Sequence, residues 1–260
     1  MKKLLNTLYV TTPETYLRLE GETVVIIRDD SVLGQVPLLN LSAIVCFGYR
    51  GVSPALMGYC AEHGIDLSFM TPHGRFLARI NGPVRGNVLL RETQTLLAAD
   101  AVHSLEPAKA FIAAKLYNCR AVLERMVRDH EHRIDPELFF GVIEQHRLCI
   151  SELQSAEDIG EIMGIEGAAA KAYFSVFGQM ILKNKSDFPF DDRNRRPPTD
   201  RVNALLSFAY TLLTNEICGA LESVGLDPYI GYLHQKRPGR CSLALDLLEE
   251  FRASYADRFV

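Results

Sequence analysis

Over the first 80 residues, the hydrophobic positions fall in short runs separated by turn-forming residues, a pattern typical of β-strands. Two pairs of such runs flank a short glycine-containing turn, at 16–27 and at 65–80, and each pair predicts a β-hairpin. An apolar stretch within 38–47 predicts a buried strand. Between these strands, 53–63 predicts one short helix that ends at Gly64, where a left-handed cap is expected.

The pattern changes at 81–86, where glycine, proline and asparagine interrupt it, and the later segments have a helical period. The predicted helices are about 88–101, 107–132, 136–153, 156–184, 200–224 and 242–256. Ser155 and Asp158 resemble an N-terminal capping pair, and Ser242 can cap the last helix. We therefore predict an α+β fold in which a small N-terminal β-sheet domain (1–84) is followed by a larger all-helical domain (85–260).

Composition narrows the class of protein. With 260 residues, of which 48% are hydrophobic, the chain is too apolar to be disordered and long enough to bury a sizeable core. Its six cysteines are scattered without a paired spacing, which predicts free thiols and a cytoplasmic location. The N-terminus is a poor signal peptide, and no apolar run approaches the ~18 residues of a membrane span, so we expect no membrane partner.

The net charge of −4 argues against a protein covered in positive charge, so any nucleic-acid surface must be local. The basic residues that could form one are Arg91, Lys183, Lys185, Arg193, Arg195, Arg196, Arg201, Lys236, Arg237 and Arg240. Ordinary solvated loops would contain similar clusters, and the sequence leaves both interpretations open.

Glu166 lies on the apolar face of its predicted helix. At about 100° per residue, Ile162, Tyr173 and Phe177 point in nearly the same direction as this carboxylate. An ionised carboxylate among apolar side chains must be protonated, paired with a cation or bound to a metal. A buried ion pair with an arginine explains Glu166 as well as a metal does.

Asp246 and Glu249 are three residues apart in the last predicted helix and therefore share one of its faces. Neighbouring carboxylates repel each other unless a cation lies between them, although such pairs are also common on surface helices. His234 lies one loop upstream and can return to the same place, where Glu166 would complete an oxygen-rich site with one imidazole. Mg²⁺ or Mn²⁺ suits this ligand set better than structural zinc does.

Several motifs, in this order along the chain, resemble the CRISPR-associated nuclease-integrase that captures foreign DNA fragments, the first-numbered protein family of that system. The motifs are Gly86-Asn-Val-Leu-Leu-Arg91, Lys115-x-x-Asn118-x-Arg120, Met163-Gly-Ile-Glu166, Arg195-Arg-Pro-Pro-Thr-Asp200-x-Val-Asn203, Gly225-Leu-Asp227-Pro-x-Ile-Gly231-Tyr-Leu-His234 and Ser242-Leu-Ala-Leu-Asp246-Leu-Leu-Glu249-Glu-Phe-Arg252. Together they span most of the chain, and the family's fold agrees with the one predicted from periodicity.

The resemblance implies that the helical domain is catalytic and that Glu166, His234 and Glu249 bind the divalent cation, with Asp246 in a supporting position. It also implies a homodimer, a small partner subunit and a substrate of double-stranded or branched DNA. The reaction would insert spacers into a CRISPR array by metal-assisted transesterification. Family members usually continue for tens of residues beyond this sequence; a truncation would affect partner docking and leave the proposed ligands present.

Two other functions are compatible with this sequence. A catalytically silent DNA-binding scaffold would keep the fold without the metal, and a metal-dependent hydrolase of small phosphoesters would have a closed pocket instead of a basic groove. Glu166 favours the enzyme, because a silent relative has no need of a carboxylate on an apolar face.

Overall fold

The structure is a computed structural model that describes residues 6–48, 50–82 and 88–260. The strands within these residues are β1 (Thr7–Val10), β2 (Tyr16–Glu20), β3 (Thr23–Arg28), β4 (Ser31–Pro37), β5 (Ala43–Phe47), β6 (Asp66–Met70) and β7 (Phe76–Ile80). β2, β3 and β4 form an antiparallel sheet, and a second sheet has the order β1-β5-β6-β7. In that second sheet β1, β5 and β6 are parallel and β7 is antiparallel.

Both predicted hairpins, β2–β3 and β6–β7, are confirmed. The strand predicted within 38–47 is also present, but it occupies only β5, because a 3₁₀ turn at Leu38–Asn40 precedes it. β1 and β4 were not predicted. β4 shows little hydrophobic alternation, since Val32 and Leu33 are both exposed and Gly34 follows them.

The short helix α1 (Pro54–His63) begins and ends as predicted. The Ser53 hydroxyl accepts a hydrogen bond from the Leu56 N–H, and Gly64 ends the helix at a φ of 68°. α1 and both sheets share one apolar core, which includes Leu17, Ile44 and Leu56.

The remaining helices are α2 (Val88–Ala99), α3 (Leu105–His130), α4 (Pro136–Ser155), α5 (Ile159–Met180), α6 (Arg201–Ser223) and α7 (Ser242–Phe251). A π-helical segment, Arg252–Asp257, continues α7 and was predicted as ordinary helix. A mixed α+β fold with the larger part helical is therefore confirmed. The core of the helical part joins α3, α4 and α5 with Leu233, the neighbour of His234.

Two predicted helix caps are wrong. Asp158, not Ser155, caps α5: its carboxylate accepts from the Glu161 N–H at 2.9 Å, and the Glu161 carboxylate accepts from the Glu157 N–H at 2.7 Å. The Ser242 hydroxyl donates to the Gln235 carbonyl at 3.1 Å instead of capping α7.

The chain divides into two compact units, one of Met1–Val88 with Cys218–Leu226 and one of Leu89–Ile217 with Asp227–Val260. The predicted boundary between residues 84 and 85 lies outside the described residues and stays a prediction. The candidate site described below belongs entirely to the second unit.

Among the residues that the structure describes, α6 is the one helix with the length and apolar composition of a membrane span. This corrects the expectation that no segment approaches one. One third of the most apolar 18-residue stretch of α6 is buried. Length and composition alone are weak evidence for a membrane span.

Candidate metal centre

The Lys115 ammonium lies between two of the predicted acidic ligands. It donates to Glu166 Oε1 and, at 2.6 Å, to Glu249 Oε2. α3, α5 and α7 each contribute one of these three side chains. The carboxylate on the apolar face of α5 is therefore paired with a lysine, whereas the alternative considered from the sequence was an arginine.

Arg252 holds the other oxygen of Glu249. Its guanidinium is 2.9 Å from Glu249 Oε1; the Glu249 side chain is buried and that of Arg252 is 13% exposed. Burial alone would raise the pKa of Glu249, but Lys115 and then Arg252 hold that pKa below its usual value. Burial likewise acts to lower the pKa of Lys115, and Glu249 and Glu166 raise it above its ordinary value. Glu249 and Lys115 therefore favour their charged forms as an ion pair, to which Arg252 adds a second cation.

Asp246 is fully buried and orients His234. Its Oδ1 accepts from the His234 N–H at 2.9 Å and lies 2.7 Å from His234 Nδ1. Its Oδ2 accepts from the N–H groups of Tyr232 and Leu233 at 2.6 and 3.0 Å. With Nδ1 donating to the carboxylate, Nε2 is the nitrogen left with a lone pair, and a carboxylate–histidine pair of this kind is typical of metal-binding histidines.

Gly231 allows this loop to approach α7 closely. A Cβ at this position would lie 2.7 Å from the Ser242 carbonyl carbon and 2.8 Å from Asp246 Oδ2, closer than real Cβ contacts. The glycine of the Gly-Tyr-Leu-His motif is therefore required by packing, because any side chain here would push the loop off the buried carboxylate.

Gln94 fixes the start of the same loop from α2. Its amide nitrogen donates to the carbonyls of Asp227 and Ile230 at 2.8 and 3.0 Å, and its oxygen accepts from the Asp227 N–H at 3.0 Å. Sequence reasoning missed Gln94 and also the role of Lys115. Lys115 could have been found, because it lies on the same face of α3 as the buried Ala108, Ile112 and Cys119.

A second buried group lies beyond Arg252. The Tyr210 hydroxyl donates to Asp257 Oδ1 at 2.5 Å, and the Arg252 guanidinium lies 4.8 Å from the centre of the Tyr210 ring. Burial raises the pKa of Asp257 to about 6, although the hydrogen bond from Tyr210 and the charge of Arg252 act in the opposite direction. The π-helical segment places Arg252 and Asp257 on this side of α7.

The protein is expected to lose stability as rising pH ionises the buried Asp257. Replacing Asp257 with asparagine should remove this loss. Because the folded pKa of about 6 exceeds the ordinary 3.8, the fold favours the protonated acid and loses stability as the pH rises between those values. The full loss is about 3 kcal/mol, at about 1.4 kcal/mol per pH unit. Denaturant unfolding between pH 4 and 7 should show D257N gaining stability relative to the unsubstituted chain.

The exposed Asp191 provides a matched control, since D191N should follow the unsubstituted chain throughout this pH range. Parallel pH profiles for D257N and the unsubstituted chain would contradict the interpretation of Asp257.

The predicted DNA contacts differ in exposure. Arg91 and Arg240 are half-buried, and the exposed ones are Lys183, Lys185, Arg195, Arg196, Arg201, Lys236 and Arg237. Arg193 is half-buried, and its guanidinium donates to Asn203 Oδ1 at 2.7 Å and Ser207 Oγ at 3.2 Å. These bonds give Arg193 a structural role, anchoring the segment before α6.

The predicted ligands form two pairs, Glu166 with Glu249 through Lys115, and His234 with Asp246. Within 6–48, 50–82 and 88–260, no group of three His, Cys, Asp or Glu side chains is close enough to hold a metal ion. The three-ligand site thus stays a prediction. Both oxygens of Asp246 accept hydrogen bonds from N–H groups, which favours the supporting role predicted for it and leaves Glu249 as the ligand of α7.

Comparison with known proteins identifies the family. A family model described as CRISPR associated protein Cas1 matches residues 8–260. A protein named CRISPR-associated endonuclease Cas1 1, from Chlorobaculum tepidum, is 51% identical over 262 residues, which cover 100% of this chain and 76% of the relative.

Two solved structures share the fold. A structure described as a casposase bound to integration product has a TM-score of 0.77 and 25% identity, covering 98% of this chain and 71% of that one. A chain of a Cas6-RT-Cas1–Cas2 complex has a TM-score of 0.75 and 21% identity, covering 100% of this chain and 28% of that one. The function predicted from the sequence, that of a CRISPR-associated endonuclease and integrase, is confirmed by these matches. The chain belongs to the family of the CRISPR-associated protein Cas1.

Proposed function

We propose that the endonuclease and integrase activity of this chain depends on a divalent cation, Mg²⁺ or Mn²⁺, held by Glu166, His234 and Glu249. One observation carries the proposal: carboxylates from two helices converge on a single cationic atom, the Lys115 ammonium. Two carboxylate oxygens directed at one positive charge suit a hard divalent cation, which prefers oxygen ligands.

The donor set fits such a cation. Glu166 and Glu249 supply carboxylate oxygens, and His234 supplies Nε2, since its Nδ1 lies against Asp246. The six cysteines are free thiols, as expected from their spacing, and they do not join this donor set. An oxygen-rich set with one imidazole favours Mg²⁺ or Mn²⁺ over zinc.

When bound, the cation supplies positive charge that polarises a phosphodiester and activates the attacking oxygen. The residues around it hold the proposed ligands in place. Asp246 fixes the imidazole of His234 in one orientation through its bonds to the ring and to the adjacent main chain. Asn118 donates to the Glu250 carbonyl at 2.8 Å, which holds α7 against α3 beside the carboxylates.

DNA, double-stranded or branched, is the proposed substrate. The exposed basic residues at 183–201 and 236–237 supply positive charge on a chain whose net charge is −4. Their contacts with phosphates would position the DNA without recognising its base sequence. The similar casposase structure is described as bound to an integration product, which supports strand transfer from a DNA 3′-hydroxyl. In this proposal the transfer inserts spacers into a CRISPR array in the cytoplasm.

The proposed assembly is a homodimer with a small partner subunit. The description of one similar structure names Cas2 together with Cas1, which makes Cas2 the candidate for that partner. We assign dimer and partner contacts to the N-terminal β domain and the chemistry to the helical domain.

Cleavage of branched DNA tests the metal requirement. With Mg²⁺ or Mn²⁺ we expect cleavage that EDTA abolishes and that E166Q reduces by at least about 100-fold, because the variant removes one anionic ligand. E152Q, an exposed glutamate on α4, should retain full activity. Activity that persists in EDTA would refute the proposal, and DNA binding without cleavage in every arm would indicate a silent scaffold.

A further inference from the structure

The Lys115 ammonium occupies the position between Glu166 and Glu249 that the proposed divalent cation would need. Its ammonium contacts one oxygen of Glu166 and one oxygen of Glu249, and its side chain is only 7% exposed. A buried ammonium has few water molecules to replace these partners, so the two carboxylates supply most of its stabilisation.

The charges around Lys115 are balanced. Lys115 and Arg252 carry two positive charges, and Glu166 and Glu249 carry two negative charges. A divalent cation bound to the same carboxylates would lie within a few ångströms of the Lys115 ammonium. Like charges at that separation repel strongly where water is excluded, so the two cations cannot both occupy this position.

From this geometry we infer that Lys115 is a positioning residue that competes with the divalent cation for Glu166 and Glu249. It holds the two carboxylates together and weakens metal binding, because the ammonium must leave at least one carboxylate before the metal can bind both. The inference rests on the metal site proposed above and adds that Lys115 lowers the affinity of that site for the metal.

The neighbouring contacts allow this exchange without loss of the fold. Arg252 occupies the opposite oxygen of Glu249, and Asn118, one turn after Lys115 on α3, bonds the Glu250 carbonyl. α3 and α7 therefore stay attached when the ammonium moves. A lysine suits this role, since its charge is compact and its four-carbon stem is flexible, whereas an arginine fork is held more rigidly.

Binding of Mn²⁺ to the full chain, measured by titration calorimetry, tests the inference. K115M is expected to bind Mn²⁺ at least tenfold more tightly than the unsubstituted chain. Without metal its melting temperature is expected to fall, because Glu249 then keeps only Arg252 and Glu166 loses its lysine partner, and Mn²⁺ should restore it. K109M, a lysine on the same helix whose ammonium bonds the Gln154 carbonyl, should leave the Kd unchanged.

If K115M does not fold, K115Q retains an N–H donor for the carboxylates and is expected to show the same tighter binding. The unsubstituted chain gives an independent measurement: the side-chain ammonium resonance of Lys115 should move in a saturable way as Mg²⁺ is added.

The outcomes separate the two proposals. If neither the unsubstituted chain nor K115M binds Mn²⁺ or Mg²⁺, the proposed metal site is refuted and this inference with it. If the chain binds metal, but the variants bind no more tightly and the Lys115 resonance is unmoved, only the competition is refuted.

Discussion

Substituting His234 with alanine is expected to reduce metal-dependent DNA cleavage by at least about 1,000-fold, equivalent to about 4 kcal/mol of transition-state stabilisation. The variant removes the only nitrogen ligand of the proposed site. The fold should survive, since Asp246 would still accept the N–H groups of residues 232–234, and the loss of one hydrogen bond costs about 1 kcal/mol.

Cleavage of branched DNA in Mn²⁺, together with circular dichroism and thermal unfolding, would measure both effects. H132A is the matched control, because His132 is exposed and lies outside the proposed site, and it should cleave normally. Cleavage by H234A within tenfold of the unsubstituted chain would remove His234 from the catalytic group.

Substituting Asp246 with alanine is expected to lower the free energy of unfolding by about 3 to 5 kcal/mol. The carboxylate is fully buried, and its two oxygens serve three backbone N–H groups and the His234 imidazole. Alanine leaves these donors without their acceptor in a place that water does not reach easily. The loop that bears His234 should therefore detach from α7.

Denaturant unfolding would measure this loss, and D246N should lie between the alanine variant and the unsubstituted chain, since an amide keeps one acceptor oxygen. D191A, at an exposed position, should change stability by less than about 0.5 kcal/mol. A loss below about 1 kcal/mol for D246A would mean that the main-chain contacts of Asp246 contribute little.

These two substitutions distinguish a residue needed for the reaction from a residue needed for the stability of the fold. His234 is expected to matter for the reaction and little for the fold, because its imidazole is the proposed metal ligand and makes one hydrogen bond to the rest of the fold. Asp246 is expected to matter for the fold first and for the reaction as a consequence, because it supports the loop as well as the ring. A metal site whose supporting carboxylate is also a structural anchor should lose activity and stability together when that carboxylate is removed.

Lys115 adds a third kind of effect. Its removal is expected to strengthen metal binding while it weakens the metal-free protein, a combination that neither a ligand nor a purely structural residue would give. Ligand variants such as E166Q should weaken metal binding instead. The sign of the change in metal affinity therefore distinguishes the roles of Lys115 and Glu166, although they touch each other.

The local sequence determined which face of each helix would be buried. Helical periodicity depends only on neighbouring residues, so Glu166 could be placed among Ile162 and Tyr173 before any packing was known. The shared face of Asp246 and Glu249 followed in the same way, and the motifs of the chain identified the family. β4 could not be predicted in this way, because its apolar and polar residues do not alternate.

Only the tertiary structure decided which charged groups meet. Lys115 and Glu166 are brought together by the packing of α3 against α5, and Asp246 reaches the His234 main chain because Gly231 permits a close approach to α7. These contacts join residues far apart in the chain, and their geometry depends on how helices pack, which periodicity does not specify. The sequence alone therefore determined the acidic residues and the histidine of the proposed site, while the packing of the helices decided that a lysine would lie between the acids.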